Sequence, residues 1–170
     1  CSDDLYIAAK KAQVLDVDLL EKLKPSLSSI TPLPSVFNPS FVASNQSQRA
    51  NNILHEKSLQ SKLECIKNNI VDFKNKHQLD KVVIVWTAST ERFHHGKWSN
   101  GYALLEAIST EDPEVSPSIL FAVAAIETQC IFLNGSPQNT IVPAVVDLAR
   151  ERGTFVGGED FKTGQTKLKS

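Results

Sequence analysis

A broken helical pattern, interrupted by prolines, occupies the first part of the chain. From Asp3 to about Leu23 apolar residues recur at irregular intervals of three and four, which predicts helix. Pro25 is expected to end it, because proline cannot donate to the helix ladder and clashes with the preceding turn. Residues 26–47 are rich in serine, proline and asparagine, yet they carry apolar anchors, which favours an ordered loop or short strand. The anchors are Ile30, Leu33, Val36, Phe37, Phe41 and Val42.

The most regular hydrophobic pattern lies between Asn52 and about His77. Apolar residues stand four, three, four and three positions apart, with polar residues between them. This spacing predicts a long amphipathic helix with one buried stripe. The stripe comprises Leu59, Leu63, Ile66, Ile70 and Phe73.

Beyond residue 80 short apolar runs alternate with helical segments. The β-branched run Val82–Trp86 predicts a central parallel strand that is buried on both faces. The alternation predicts an α/β fold, with a parallel sheet, right-handed crossovers and helices on the faces of the sheet. Two more strands are predicted at Cys130–Leu133 and Thr154–Val156, and helices around Leu104–Ile108, from Ser116-Pro117 onward, and over Pro143–Arg150 with Gly153 as a left-handed cap.

The composition is typical of a globular domain. Of 170 residues, 41% are hydrophobic and 22% charged, which excludes collagen-like, disordered and disulfide-scaffold classes. A net charge of −1 gives no long-range attraction to nucleic acid or to anionic membranes, so neither is expected as a partner. No secretory signal is recognisable, and we expect a cytoplasmic protein.

The cysteines and histidines do not suggest a metal site. Cys1, Cys65 and Cys130 are widely spaced and form no CxxC pair, so we expect reduced, buried or half-buried thiols. His94 and His95 are adjacent, and such a pair in a loop is usually solvated, so no metal is expected. The chain has no Met and begins with Cys1, which we interpret as an excerpt of a longer protein.

Polar loops follow all three predicted strands. Ligands bind at the carboxyl ends of strands in open α/β sheets, where glycines allow close backbone approach and hydroxyls suit phosphate or ribose oxygens. Neither GxGxxG nor GxxxxGK[ST] is present. These residues alone therefore predict a nucleotide-sized polar edge but no reaction, and ordinary turns remain the alternative. The loops are Thr87–Arg92, Asn134–Asn139 and Gly157–Asp160, the last running into Lys162–Lys167.

Five segments match a known family in their order and approximate spacing: Pro32–Val36, Asn45–Asn51, Trp86–Phe93, Asn134–Thr140 and Gly157–Ser170. With these segments the chain resembles the inositol-3-phosphate synthase (myo-inositol-1-phosphate synthase) family. The resemblance implies an isomerase that converts D-glucose 6-phosphate to 1D-myo-inositol 3-phosphate with bound NAD. The implied route is oxidation, enolisation, intramolecular aldol closure and reduction, in inositol biosynthesis that feeds phospholipid synthesis.

The same resemblance assigns site residues. Ser89 stands where the family usually has Asn, which removes one potential hydrogen bond, and Thr163 replaces the usual Ser while keeping a hydroxyl. Asp160 is expected to have an orienting or charge role between lysines. The implied NAD contacts are Ser35, Val36, Gln46, Arg49, Thr87, Ala88, Ser89, Thr90, Gly135, Ser136, Asp160 and Thr163; the implied substrate-phosphate loop is Thr163, Gly164, Gln165 and Thr166.

The resemblance also implies how the chain is divided. Residues 1–160 would be the C-terminal part of a Rossmann-like NAD-binding domain, and 161–170 the start of a catalytic domain that forms a homotetramer. The family's glycine-rich loop and principal catalytic lysines have no counterpart in the sequence, so we expect the 170 residues alone to be inactive. The alternatives are another NAD-dependent sugar-phosphate oxidoreductase, or a non-catalytic α/β interaction module.

Overall fold

The computed structural model describes residues 2–158 and 160–161, which fall into two compact units. The first comprises residues 2–39 and 43–55, and the second comprises residues 40–42 and those from 56 onward. Among the described residues we find no helix with the length and hydrophobicity needed to cross a lipid bilayer.

The first unit consists of two packed helices and an extended segment. Helix α1 spans Leu5–Ala12 and helix α2 spans Val17–Ser28, and a short 3-10 helix follows at Ser44–Arg49. The Asp4 carboxylate caps α1 by accepting a hydrogen bond from the Ile7 N–H at 2.9 Å.

The prediction that Pro25 ends the first helical segment is wrong. Pro25 lies inside α2, which continues to Ser28. Only one turn follows the proline, and Ser29 closes it by donating its N–H to the Pro25 carbonyl at 3.1 Å. The Ser29 hydroxyl also donates to the Ser26 carbonyl at 2.8 Å. These bonds stabilise the turn that follows Pro25, although the Pro25 nitrogen itself has no proton to donate.

The expected ordered segment after α2 is present. Ser35 forms a parallel bridge with Ile53, and Val36 is buried. Phe41, which belongs to the second unit, is also buried, whereas Ile30 and Leu33 are exposed. The predicted anchors Val36 and Phe41 therefore pack into their units, whereas Ile30 and Leu33 do not.

The second unit is a three-stranded parallel sheet with helices. The strand order is β1-β2-β3, with Val83 opposite Ile131 and Phe132 opposite Val156. The predicted α/β class and parallel pairing are confirmed. The strands are β1 Val83–Trp86, β2 Ile131–Asn134 and β3 Val156–Gly157; the helices are α3 Leu59–Lys76, α4 Gly101–Ser109, α5 Pro117–Glu127 and α6 Pro143–Arg152.

Strand β1 is not the doubly buried central strand that its composition predicts. Within the described residues it pairs only with β2, and β2 is the central strand. Val83 and Val85 remain 49% and 48% exposed, while Trp86 is buried and its ring lies 5.3 Å from that of Phe121 on α5. The side chains alternate between two faces along the strand, and packing against α5 buries one of them.

Helix α3 begins later than its pattern predicts. The Ser58 hydroxyl accepts a hydrogen bond from the Ser61 N–H at 3.0 Å, so the helix starts at Leu59 rather than near Asn52. Leu63 and Ile66 of the predicted stripe are buried. Phe73 at the far end is exposed, so the buried stripe is shorter than predicted.

Helix α5 forms the centre of the core. Ser116 caps it and Pro117 occupies its first turn, as predicted, and nearly all of its side chains are buried against α3, α6 and β2. Helix α6 ends at Gly153, whose φ of 65° is left-handed, which confirms the predicted cap.

Cys130 is a buried free thiol and Cys65 a half-buried one, as expected.

Candidate functional site

The loops after β1 and β2 are joined at the carboxyl edge of the sheet. The Gly135 N–H donates to the Trp86 carbonyl at 2.8 Å. The Ser136 hydroxyl donates to the Ala88 carbonyl at 2.7 Å. The exposed Thr87–Thr90 turn therefore lies directly beside Gly135 and Ser136, so the structure brings these six predicted site residues together.

Glycines allow the loop after β3 to approach the same edge. A Cβ atom on Gly158, whose φ is 78°, would lie 2.5 Å from the Asn134 carbonyl oxygen. A Cβ atom on Gly135 would lie 2.6 Å from the ring of Phe161, whose N–H donates to the Gly135 carbonyl at 3.3 Å. Half-buried Asp160 precedes Phe161, so the third loop also reaches this edge.

Asn134 shapes the loop after β2. Its side chain is fully buried; the Oδ1 atom accepts from the Ser136 N–H at 3.1 Å, and the Nδ2 atom donates to the Gln138 carbonyl at 3.2 Å. Such local bonds from an asparagine side chain hold a turn in one conformation. Ser136 is thereby fixed for its contact with Ala88.

A buried polar network lies beneath these loops, and no pattern in the sequence predicted it. The Glu91 carboxylate accepts from the Ser118 N–H at 3.0 Å through Oε1 and from the Ser118 hydroxyl at 2.6 Å through Oε2. The Glu91 N–H donates to Gln138 Oε1 at 2.9 Å. The Ser118 hydroxyl also lies 2.8 Å from that of Thr140 and 3.0 Å from that of Ser116. The network thus connects both loops to the start of α5.

Burial raises the pKa of Glu91, and hydrogen bonds from Ser118 and Ser116 oppose that rise. The first turn of α5 presents its positive end to the carboxylate, which further favours the charged form. The partners of Glu91 lie 27 and 47 residues away in the sequence, so no local motif could have predicted these contacts.

His94 is not the solvated loop residue that the sequence predicts. It is 3% exposed, and its Nε2 atom lies 2.8 Å from the Asn139 carbonyl oxygen. Burial lowers the pKa of His94, which favours the neutral ring. Among the described residues no group of three or more His, Cys, Asp or Glu side chains is placed to hold a metal ion.

Arg92 fastens the loop after β1 to neighbouring segments. Its guanidinium forms a two-pronged ion pair with Glu114, with N–O distances of 3.1 and 2.9 Å. It also lies 4.3 Å from the centre of the Phe41 ring, and its Nε atom donates to the Ser40 carbonyl at 3.0 Å. Arg92 lowers the pKa of Glu114 to about 2, with a further contribution from the His95 N–H.

The remaining predicted site residues lie in the first unit or outside the described residues. Ser35 takes part in the bridge to Ile53, and Val36 is buried. Gln46 lines a cleft of that unit together with Asp3 and Ile7 of the α1 region. Arg49 ends the 3-10 helix. Thr163, Gly164, Gln165 and Thr166 lie outside the described residues.

Comparison with known proteins identifies the family. A family model named for NAD binding and described as myo-inositol-1-phosphate synthase matches residues 1–164. The inositol-3-phosphate synthase of Dictyostelium discoideum is 49% identical over 98% of this chain and 33% of its own length. Inositol-3-phosphate synthase 1 of Mus musculus is 51% identical over 98% of this chain and 30% of its own length.

A solved structure supports the same assignment. The crystal structure of inositol-3-phosphate synthase from Caenorhabditis elegans matches with a TM-score of 0.92 at 45% identity, covering 99% of this chain and 34% of that one. The chain therefore spans about a third of the length of the relatives that it matches. Because the family match extends over nearly the whole sequence, the chain belongs to the myo-inositol-1-phosphate synthase family.

Proposed function

We propose that the protein carrying this chain converts D-glucose 6-phosphate to 1D-myo-inositol 3-phosphate, and that this chain supplies part of its NAD site. The family match over residues 1–164 carries the proposal. We further propose that the complete protein is cytoplasmic and homotetrameric, with residues 1–160 in the NAD-binding domain and 161–170 at the start of the catalytic domain.

The polar edge of the sheet fits a dinucleotide. The Thr87, Ser89 and Thr90 side chains are exposed hydroxyls on one turn. A Cβ atom on Gly158 would collide with the Asn134 carbonyl oxygen, so two backbone segments come close together there. A Cβ atom on Gly135 would collide with the Phe161 ring. Exposed hydroxyls beside a glycine-lined edge suit the ribose and phosphate oxygens of NAD.

Bound NAD would supply the acceptor and donor of a hydride. On the chain's side, we propose that the Thr87–Thr90 turn, Gly135 and Ser136 bind and orient the cofactor. Ser35, Val36, Gln46, Arg49, Asp160 and Thr163 are proposed as further NAD contacts. Asp160 is also proposed to hold or orient a charged partner, and Thr163, Gly164, Gln165 and Thr166 to bind the substrate phosphate.

The proposal is tested with the complete protein that carries this sequence. It is incubated with glucose 6-phosphate and a substoichiometric amount of NAD, and phosphorus NMR follows the sugar phosphate while absorbance at about 340 nm follows NADH. We expect inositol 3-phosphate to exceed the NAD added, with no net NADH, because the oxidation and the reduction cancel.

Other results would contradict the proposal in distinguishable ways. NADH formed in proportion to sugar consumed would indicate a sugar-phosphate oxidoreductase. The absence of both NAD binding and turnover would indicate a non-catalytic module.

A further inference from the structure

We propose that Glu91 is a positioning residue of the cofactor site. Its buried carboxylate, through Ser118 and Gln138, holds the Thr87–Thr90 turn in the conformation that receives NAD. The inference rests on the proposed function and assigns Glu91 no contact with NAD or substrate.

The turn is attached to its neighbours at two points, three residues apart. The Ala88 carbonyl accepts from the Ser136 hydroxyl at 2.7 Å. The Glu91 N–H donates to Gln138 Oε1 at 2.9 Å, and Gln138 Nε2 faces Glu91 Oε2 at 3.4 Å. Because Glu91 directly follows Thr90, its position determines where the turn ends.

The carboxylate also attaches this loop to the rigid core. Both of its oxygens accept from Ser118 in the first turn of α5, whose side chains are almost all buried. Glu91 itself is 7% exposed, so solvent contributes little to its solvation. A helix end and two loops therefore meet at one carboxylate.

Because the Glu91 carboxylate can only accept hydrogen bonds, it determines which hydroxyl groups in the network donate. The Ser118 hydroxyl has one proton, which it donates in the 2.6 Å hydrogen bond to Glu91 Oε2. The Thr140 hydroxyl, at 2.8 Å, must then donate to Ser118. A neutral amide at position 91 would place an N–H₂ group where Oε2 now accepts.

Glu91→Gln therefore keeps the size of the side chain, but it places the N–H₂ group of the new amide opposite the N–H₂ group of Gln138, so that two donors face each other. The double substitution Glu91→Gln with Gln138→Glu exchanges the two roles. The introduced carboxylate can accept both from the backbone N–H of residue 91 and from the introduced amide, which restores the complementary pair between positions 91 and 138. The Ser118 hydroxyl can rotate to accept from the introduced amide and to donate to Thr140. A role limited to bulk packing would not predict this rescue.

The test uses the complete protein that carries this sequence. Hydrogen exchange of residues 87–90 is measured without NAD, and the NAD dissociation constant by calorimetry. For Glu91→Gln we expect faster exchange and an approximately tenfold higher dissociation constant, the equivalent of one lost interaction of about 1.4 kcal/mol. The double variant should recover both values to within about threefold of the parent, which corresponds to under about 0.7 kcal/mol.

The matched control is Ile126→Val, a substitution at a fully buried site near the end of α5, about two helical turns from Ser118. We expect it to lower the melting temperature without changing exchange at residues 87–90 or NAD affinity. If Glu91→Gln leaves exchange or NAD affinity at the parent value, or if the double variant is no better than the single one, the positioning role is overturned.

Failure of the proposed function would be recognised separately. It would appear as absence of NAD binding in the unsubstituted protein, before any variant is compared. That result would overturn the cofactor role of the turn and the positioning role with it, whereas the other contrary results leave NAD binding by the parent intact.

Discussion

At the scale of single residues, the site combines exposed hydroxyls with buried anchors. Ser89 is exposed on the Thr87–Thr90 turn, whereas Ser136 is buried and bonded to Ala88. A substitution at Ser89 should therefore change ligand contacts, and a substitution at Ser136 should also change the conformation of the loops.

Ser89→Asn tests the proposed cofactor turn. Asparagine restores the amide that is usual in the family, so we expect NAD to bind about two- to tenfold more tightly, the range for one added hydrogen bond. Calorimetry on the complete protein measures the change. Ser99→Asn, at another exposed serine of the same unit, should have no effect. Equal effects at both positions would contradict a specific role for Ser89.

Glu114 makes stability depend on acidity. Its pKa is lowered to about 2 in the folded protein, below the usual 4.5, so the paired carboxylate contributes stability above pH 4.5. That contribution is lost as the pH falls from 4.5 towards 2. Urea unfolding at pH 7 and pH 3 should show a smaller loss on acidification for Glu114→Gln than for the parent. An equal loss in both proteins would contradict the ion-pair assignment.

At the scale of elements, two glycines with left-handed backbone conformations, Gly153 and Gly158, differ in the space around them. Gly153→Ala and Gly158→Ala both force a side chain into the left-handed region, at a cost of about 1–2 kcal/mol. A Cβ atom on Gly153 meets nothing within 4 Å, whereas one on Gly158 lies 2.5 Å from the Asn134 carbonyl. We expect Gly158→Ala to be the more destabilising substitution in urea unfolding; equal losses would show that the β3 loop yields freely.

Local signals predicted the elements where capping residues and periodicity agreed. Ser116-Pro117 marked the start of α5, and Gly153 marked the end of α6. The Pro25 prediction was wrong because bonds from Ser29 complete the last turn of α2. The predicted start of α3 near Asn52 was wrong because the Ser58 hydroxyl caps the helix at Leu59. Such boundaries depend on individual hydrogen bonds that the hydrophobic period does not encode.

At the scale of the whole molecule, the second unit depends on a core around α5 and α6. Leu148 is 0% exposed, and its Cβ atom lies only 2.9 Å from where a Cβ on Gly101 of α4 would be. Leu148→Ala should cost about 2–5 kcal/mol of unfolding free energy, measured in urea, because it removes buried contacts and leaves a cavity. Val14→Ala, at a 78% exposed site, should cost less than about 0.5 kcal/mol. Comparable losses would contradict this placement of the core.

The α/β class, the alternation of elements, the three polar loops and the family could all be predicted from the amino-acid sequence, since periodicity, caps and motifs are local in the chain. Three features became visible only in the folded chain: the exposure of one face of β1, the burial of His94, and the link that Glu91 makes between Ser118 and Gln138. These features depend on which distant segments pack together. A residue's burial and its partners 27 or 47 positions away follow from strand order and helix packing, which no local pattern specifies.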